Sequence, residues 1–287
     1  GNRVGYGRQV SRTRTLFKSL TRRGPHKVLR GDLAFAGIPG LLYTPAEGFH
    51  LPGVAFGHDW LTDAYRYTGT LEHLASWGIV AAAPATQRGP VPSVLDLAHD
   101  LSATLDVISG IRLGPGRISV APDKRGLSGH GVGASAAILA ASGSVTPKAV
   151  AAVFPAVTKP SAEAAAAGLK VPGLVLATPD DAKSLRTDAL EAGRAWSGSV
   201  LRVVDKAAAA ELAEKRRLGW LLGLPGSSTR TQKTVRALLT GFLMHRLTGD
   251  KAYRDFADPE AALPHTRRPD PDAPPVTDED RIVALFK

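Results

Sequence analysis

The run Ser128-Gly129-His130-Gly131-Val132-Gly133 has the spacing of a turn built to present one side chain. Upstream, Lys124-Arg125-Gly126-Leu127-Ser128 reads as a short strand; downstream, Ala134 to Ala141 is small and helix-forming. A strand, a Gly-x-nucleophile-x-Gly turn and a helix make the setting in which a serine oxygen is held clear of a sheet for acyl transfer. Here the middle position is Gly131, which has no side-chain atom to donate, so the acyl-enzyme route is closed at that position. The strained, positive-φ backbone of such a turn costs about 1–3 kcal/mol with a side chain. Glycine adopts it without the Cβ penalty.

Other residues capable of chemistry lie nearby in sequence. His58 and Asp59 follow the apolar stretch Gly53-Val54-Ala55-Phe56, and Trp60 comes next. With His130 and Val132 of the turn, these are the candidate ligand-binding residues. Ser128 falls on the strand before the turn, where it is expected to be buried, and Ser135 falls early in the helix, directed away from the turn. Both are read as structural. No His, Asp or Glu cluster has the spacing of a metal site, and the glycines at 129–133 lack the Lys and Ser/Thr of a phosphate loop. No metal and no cofactor are expected.

The elements around the turn alternate. Lys27 to Phe35 and Gly40 to Tyr43 read as a hairpin around Gly37, Pro39 and Gly40. Gly53–Phe56, Ile79–Ala83, Ala149–Phe154, Gly173–Ala177 and Val200–Val204 read as strands. Helices are expected over Thr70–Trp77, Val94–Ile108, Ser161–Ala167, Ala182–Trp196 and Thr231–Leu247; Leu95, Leu97, Leu101, Leu105 and Ile108 fall at helical spacing. Strands alternating with helices imply an α/β fold, a mostly parallel sheet of about eight strands covered on both faces. Three regions follow: a basic arm over 1–31, a domain over 32–263 and a Pro- and Asp-rich tail over 264–287. The tail is expected to be extended and to dock Ile282-Val-Ala-Leu-Phe286 as a last apolar patch.

Composition narrows the class. The chain has 287 residues, enough for a sizeable core, and no cysteine, which removes disulfides, thiol nucleophiles and thiolate metal sites. No apolar run reaches the roughly 18–20 residues of a membrane span, and no charged-then-apolar leader opens the sequence. The absence of cysteine fits a reducing cytoplasm. The net charge of +10 is concentrated: residues 1–31 hold nine Lys and Arg and no Asp or Glu, which leaves the rest close to neutral. Arg8, Arg12, Arg14, Lys18, Arg22 and Arg23 are the candidate contacts to an anionic surface, such as the inner face of a membrane. Val10, Thr13, Phe17 and Leu20 fall on one helical face, so the arm reads either as a solvated tail or as an interfacial helix whose removal leaves the core whole. Aromatic residues within the arm are few (Tyr6 and Phe17), which weighs against single-stranded nucleic acid.

Four stretches together resemble an α/β-hydrolase, and more narrowly the dienelactone hydrolase and cutinase-like polyester esterase group. They are Pro52 to Phe56 with Leu71 to Val80, the helix Asp96 to Ile108, the approach Pro122 to Gly133, and the closing Gly249-Asp250-Lys-Ala-Tyr253-Arg-Asp-Phe256. The resemblance spans roughly residues 30–262. Its Asp-to-Arg spacing at Asp123–Arg125 is one residue shorter than the family's. The resemblance implies a Ser, Asp and His triad in that order. It assigns the acid to Asp180, or to its neighbour Asp181, and places the histidine in the loop near 222–230, which contains none. His245 and His265 fall elsewhere. With the nucleophile and the base both missing, only the part of catalysis due to binding and oxyanion stabilisation would remain. The leading expectation is therefore a catalytically degenerate protein of this fold that binds a partner protein or a small acyl- or lipid-like ligand, with the arm on an anionic surface. The alternatives are a residual esterase that uses a non-standard base, and a nucleic-acid binder working through the arm.

Overall fold

Period-two burial builds the sheet. Along Gly53–Gly57, Val54 and Phe56 enter the core on one face and Ala55 enters the core on the other. Along Ala149–Val153, Ala149, Ala151 and Val153 alternate in the same way with Val150 and Ala152. A strand apolar on both faces must be covered on both, and a parallel sheet between helix layers does this. The computed structural model describes residues 2–215, 227–270, 277–284 and 286. Its strands are β1 (Val28–Asp32), β2 (Gly40–Pro45), β3 (Gly48–Gly57), β4 (Val80–Pro84), β5 (Ile118–His130), β6 (Ala149–Val153), β7 (Gly173–Ala177), β8 (Ser199–Val204) and β9 (Thr266–Arg267). Its helices are α1 (Asn2–Leu20), α2 (Thr68–Ser76), α3 (Val94–Gly110), α4 (Val132–Ala141), α5 (Ala162–Ala167), α6 (Ala189–Ala195), α7 (Thr229–Thr248) and α8 (Asp278–Ala284).

The fold is α/β. Nine strands form one sheet in the order β1-β2-β4-β3-β5-β6-β7-β8-β9, one more than the sequence suggested because the two-residue β9 pairs with β8 at its edge. The pairs β1/β2, β2/β4 and β8/β9 are antiparallel; those linking β4, β3, β5, β6, β7 and β8 are parallel. The order is consistent with an α/β-hydrolase-like sheet. Residues of α1, α2 and α7 join the core on one face, and residues of α3, α4, α5 and α6 join it on the other. Serine side chains cap three helices: Ser93 accepts from Asp96 N–H, Ser161 from Ala164 N–H and Ser228 from Thr231 N–H. Gly249, at φ 74°, closes α7 in the left-handed conformation.

Asp123 and Arg125 sit on an irregular stretch of β5. Leu51 pairs with Val120 but Gly53 pairs with Arg125, so β5 bulges between them. Arg125 then reaches Asp106 of α3, at 3.1 Å, rather than Asp123.

Three expectations are corrected. The helix expected over Ala182–Trp196 starts only at Ala189. Asp181 accepts from Ala189 N–H at 3.1 Å, while Val157 N–H donates to Arg186 O and Thr187 bridges Ala156; these bonds draw 184–188 away from helix. The tail begins extended, as β9, but ends in α8, and Ile282, Val283 and Phe286 there stand exposed rather than docked as an apolar patch.

The arm is not a loose tail: residues 2–20 form α1, which docks on the body. The face bearing Thr13, Phe17 and Leu20 is buried against the body. Phe17 stacks on Phe256 with ring centroids 6.4 Å apart, and Thr13 Oγ1 donates to Asp255 at 2.5 Å. The apolar stripe that helical periodicity produced is satisfied by the protein's own surface, and each such side chain contributes roughly 1.5–3 kcal/mol by burial. Residue 31 is therefore no structural boundary, and removing the arm does not leave the core whole.

Candidate functional site

The site forms where β3 and β5 end side by side. The backbones approach very closely there. A Cβ on Gly129 would lie 2.2 Å from Gly133 O, and one on Gly133 would lie 2.1 Å from Gly57 O. Glycine at these positions lets the first turn of α4 pack onto the end of β3. Between them Gly131 turns the chain at φ 59° and ψ −120°, and its carbonyl accepts from Ala134, Ser135 and Ala156 N–H. The turn is thus where the sequence placed it.

The space above Gly131 is filled by Asp59. Its Oδ1 accepts from Val132 N–H at 2.9 Å and from Trp60 N–H at 2.7 Å. A Cβ on Gly131 would stand 1.9 Å from that oxygen and 2.1 Å from the carboxyl carbon. Two backbone N–H groups converging on one oxygen, one of them from the residue after the turn's apex, have the arrangement that an oxyanion hole would use. Here the oxygen they hold belongs to the protein's own side chain.

His130 lies beneath, fully buried. Tyr67 O–H donates to its Nδ1 at 2.7 Å, and its Nε2–H donates to Ala209 O at 2.6 Å. Tyr67 in turn accepts from Asp59 N–H at 3.1 Å. The rings of Phe56, Tyr67, His130 and Phe154 pack in sequence, each pair tilted or edge-on. Burial holds the imidazole below its ordinary pKa, with the nearby Asp59 charge and the Ala209 bond opposing. Burial, then the Asp59 charge, pushes the Tyr67 phenol up. Both rings are neutral, each polar atom has a partner, and the network fixes the turn rather than presenting a base.

His58 is also buried. Its Nδ1 lies 2.8 Å from Asp59 O and its Nε2 lies 2.5 Å from Thr86 O. Both histidines are buried, and each ring nitrogen lies within hydrogen-bond reach of a protein oxygen. Trp60 does face outward, 44% exposed, with its indole N–H donating to Pro90 O. Val132 borders a recess of about 250 Å³ shared with Pro92, Val94, Leu95 and Val157. Trp60, Leu61, Tyr65, Val91, Leu95 and Val157 are exposed apolar side chains; Leu95 and Val157 line this recess, while Leu61 and Tyr65 line a separate one of about 790 Å³. Leu61, Gln87 and Phe154 near the site have positive φ without being glycine, a strain of the kind concentrated at functional loops.

The serines are committed elsewhere: Ser128 Oγ donates to Ala151 O at 2.7 Å and Ser135 Oγ to Ala156 O at 2.5 Å. At the acid position Asp180 is exposed, and Asp181 is the buried carboxylate. Burial raises Asp181 to about 6, although it accepts from Thr178 and Ala189 N–H. In the loop expected to hold the base, residues 222–226 lie outside the described residues. Among the described residues no group of three or more His, Cys, Asp and Glu could hold a metal, and no helix is long and apolar enough to cross a membrane.

Sequence reasoning missed Tyr67 and the carbonyls of Thr86 and Ala209. Tyr67 is far from the turn in sequence, and the two carbonyls carry no residue-type signal. It also took Asp59 as a ligand-facing group, whereas the missing Cβ of Gly131 is what admits it. No protein-family model matches the chain, and no curated protein matches it significantly.

Proposed function

We propose that this chain is a non-catalytic protein of α/β-hydrolase type that acts by binding. The observation that carries the reading is Asp59: its carboxylate takes both N–H donors of the would-be oxyanion hole and the volume a nucleophile's side chain would need. Transition-state stabilisation depends on those donors being free for the substrate oxygen. His130 and both nearby serines are bonded to protein atoms, which removes the usual substitutes. The exposed apolar rim about Trp60 and the recess beside Val132 suit an acyl- or lipid-like ligand or a partner protein. The outward cations of α1 suit an anionic surface.

A second reading, a residual hydrolase in which a non-standard base activates water, draws support from the same carboxylate, which stands where a nucleophile's side chain would be. Against it, that carboxylate already engages the two N–H groups the substrate oxygen would need. Hydrolysis of a short-chain aryl ester by the native chain and by Asp59→Asn separates an esterase from a binder. The binding reading expects turnover no faster than that of an inert protein from both. Turnover by the native chain that Asp59→Asn abolishes would support the esterase.

A further inference from the structure

Docking of α1 does more than bury Phe17. Arg8 and Arg12 are one helical turn apart and share a face. Lys251 and Arg254 are three residues apart on the 3₁₀ turn Lys251–Ala257, where side chains at that spacing eclipse. The two pairs meet across a groove of about 520 Å³ between α1 and that turn. The size is that of a small-molecule site.

The charge balance of the groove is one-sided. Its only carboxylate, Asp255, is held by Thr13 Oγ1 and by Gln9 Nε2 at 3.1 Å. Among the described residues none of Arg8, Arg12, Lys251 or Arg254 has an ion-pair partner. Four like charges, from segments some 240 positions apart in sequence, thus face one carboxylate. Half-buried Leu16 and exposed Ala252 supply an apolar wall beside them. Guanidinium groups match the oxygens of phosphate and carboxylate alike, and the higher charge of a phosphate ester suits several cations at once.

We infer that this groove is a binding site for a phosphate ester, with the phosphate between the Arg8/Arg12 and Lys251/Arg254 pairs and the organic part along Leu16. The inference rests on reading the arm as an anion binder and narrows it to one place; it is independent of the turn at Gly131. The ester could be a soluble metabolite or a lipid headgroup, and the experiment has an arm for each. The full chain is titrated with glycerol 3-phosphate by calorimetry, and is sedimented with vesicles of phosphatidic acid in phosphatidylcholine and of phosphatidylcholine alone. Two double variants are compared: Arg12→Ala with Arg254→Ala across the groove, and Lys148→Ala with Lys170→Ala, two exposed lysines outside it. Circular dichroism and the thermal midpoint verify that both remain folded.

The groove variant should weaken binding by about tenfold or more, the equivalent of losing one strong charge-assisted contact, while the off-groove variant changes it little. Binding of the soluble ester identifies a metabolite site; binding of phosphatidic acid vesicles alone identifies a headgroup site; either supports the inference. Equal weakening by the two variants would overturn the groove, since binding would then follow net charge alone. Failure of the native chain to bind either probe would overturn both the groove and the reading of the arm as an anion binder.

Discussion

Asp59 Oδ1 and a side chain at residue 131 compete for one position: a Cβ on Gly131 would lie 1.9 Å from that oxygen. The two residues are therefore one feature. The glycine opens the space and also accepts the turn's φ of 59°; the aspartate fills the space and caps the Trp60 and Val132 N–H groups.

This coupling is measurable as a double-mutant cycle in urea unfolding. Gly131→Ser alone should destabilise by more than about 2 kcal/mol, since backbone strain adds to displacement of a hydrogen-bonded carboxylate. In an Asp59→Gly background the same change should cost only the strain, which leaves a coupling of about 1–3 kcal/mol. Additive effects would mean that Asp59 moves aside freely.

Docking of the arm carries a second prediction. Phe17→Ala should lower stability by about 3 kcal/mol or more, the range for emptying a buried aromatic site. Phe17 is 3% exposed and faces Phe256. A change within about 0.5 kcal/mol, as at a bare surface, would show that α1 is not docked in solution.

His73 sets part of the acid limit. Burial, then the Arg236 charge, holds its imidazole down to about 4. A depressed folded-state pKa means that the unfolded chain binds the proton first. The stabilisation is complete above about pH 6.5 and is lost as pH falls toward 4, at about 3 kcal/mol in all. His73→Gln should flatten the stability curve over that interval; an unchanged slope would place the acid sensitivity elsewhere.

Asp181 acts with the opposite sign. Its carboxyl is raised to about 6 by burial, so the folded chain keeps the proton longer and stability falls as pH rises from about 4 to 6. Asp181→Asn should remove that fall when unfolding is followed at both ends of the interval. A variant curve parallel to the parent's would contradict it.

Much of this was legible in the sequence, because local rules decide it. The turn at Gly131 followed from strand, spaced glycines and small helix formers, and the sheet followed from alternation of short apolar strands with helices. The start of α6 was not, since the bonds holding 184–188 extended come from Asp181 and the 155–157 segment rather than from local propensity. The docking of α1 was hidden for a similar reason. Periodicity gives an apolar face, but the partner face on Phe256 lies at the far end of the chain. The role of Asp59 was hidden because it depends on an atom that Gly131 lacks.

The most direct test of the central claim is steady-state turnover of a short-chain aryl ester by the native chain beside an inert control protein and beside Gly131→Ser. The account predicts that both forms hydrolyse it no faster than the control: Asp59 occupies the oxyanion donors in the native chain, and a serine at 131 lacks a base. Robust hydrolysis by the native chain, abolished by Asp59→Asn alone, would contradict the account and make that carboxylate the working group of an enzyme.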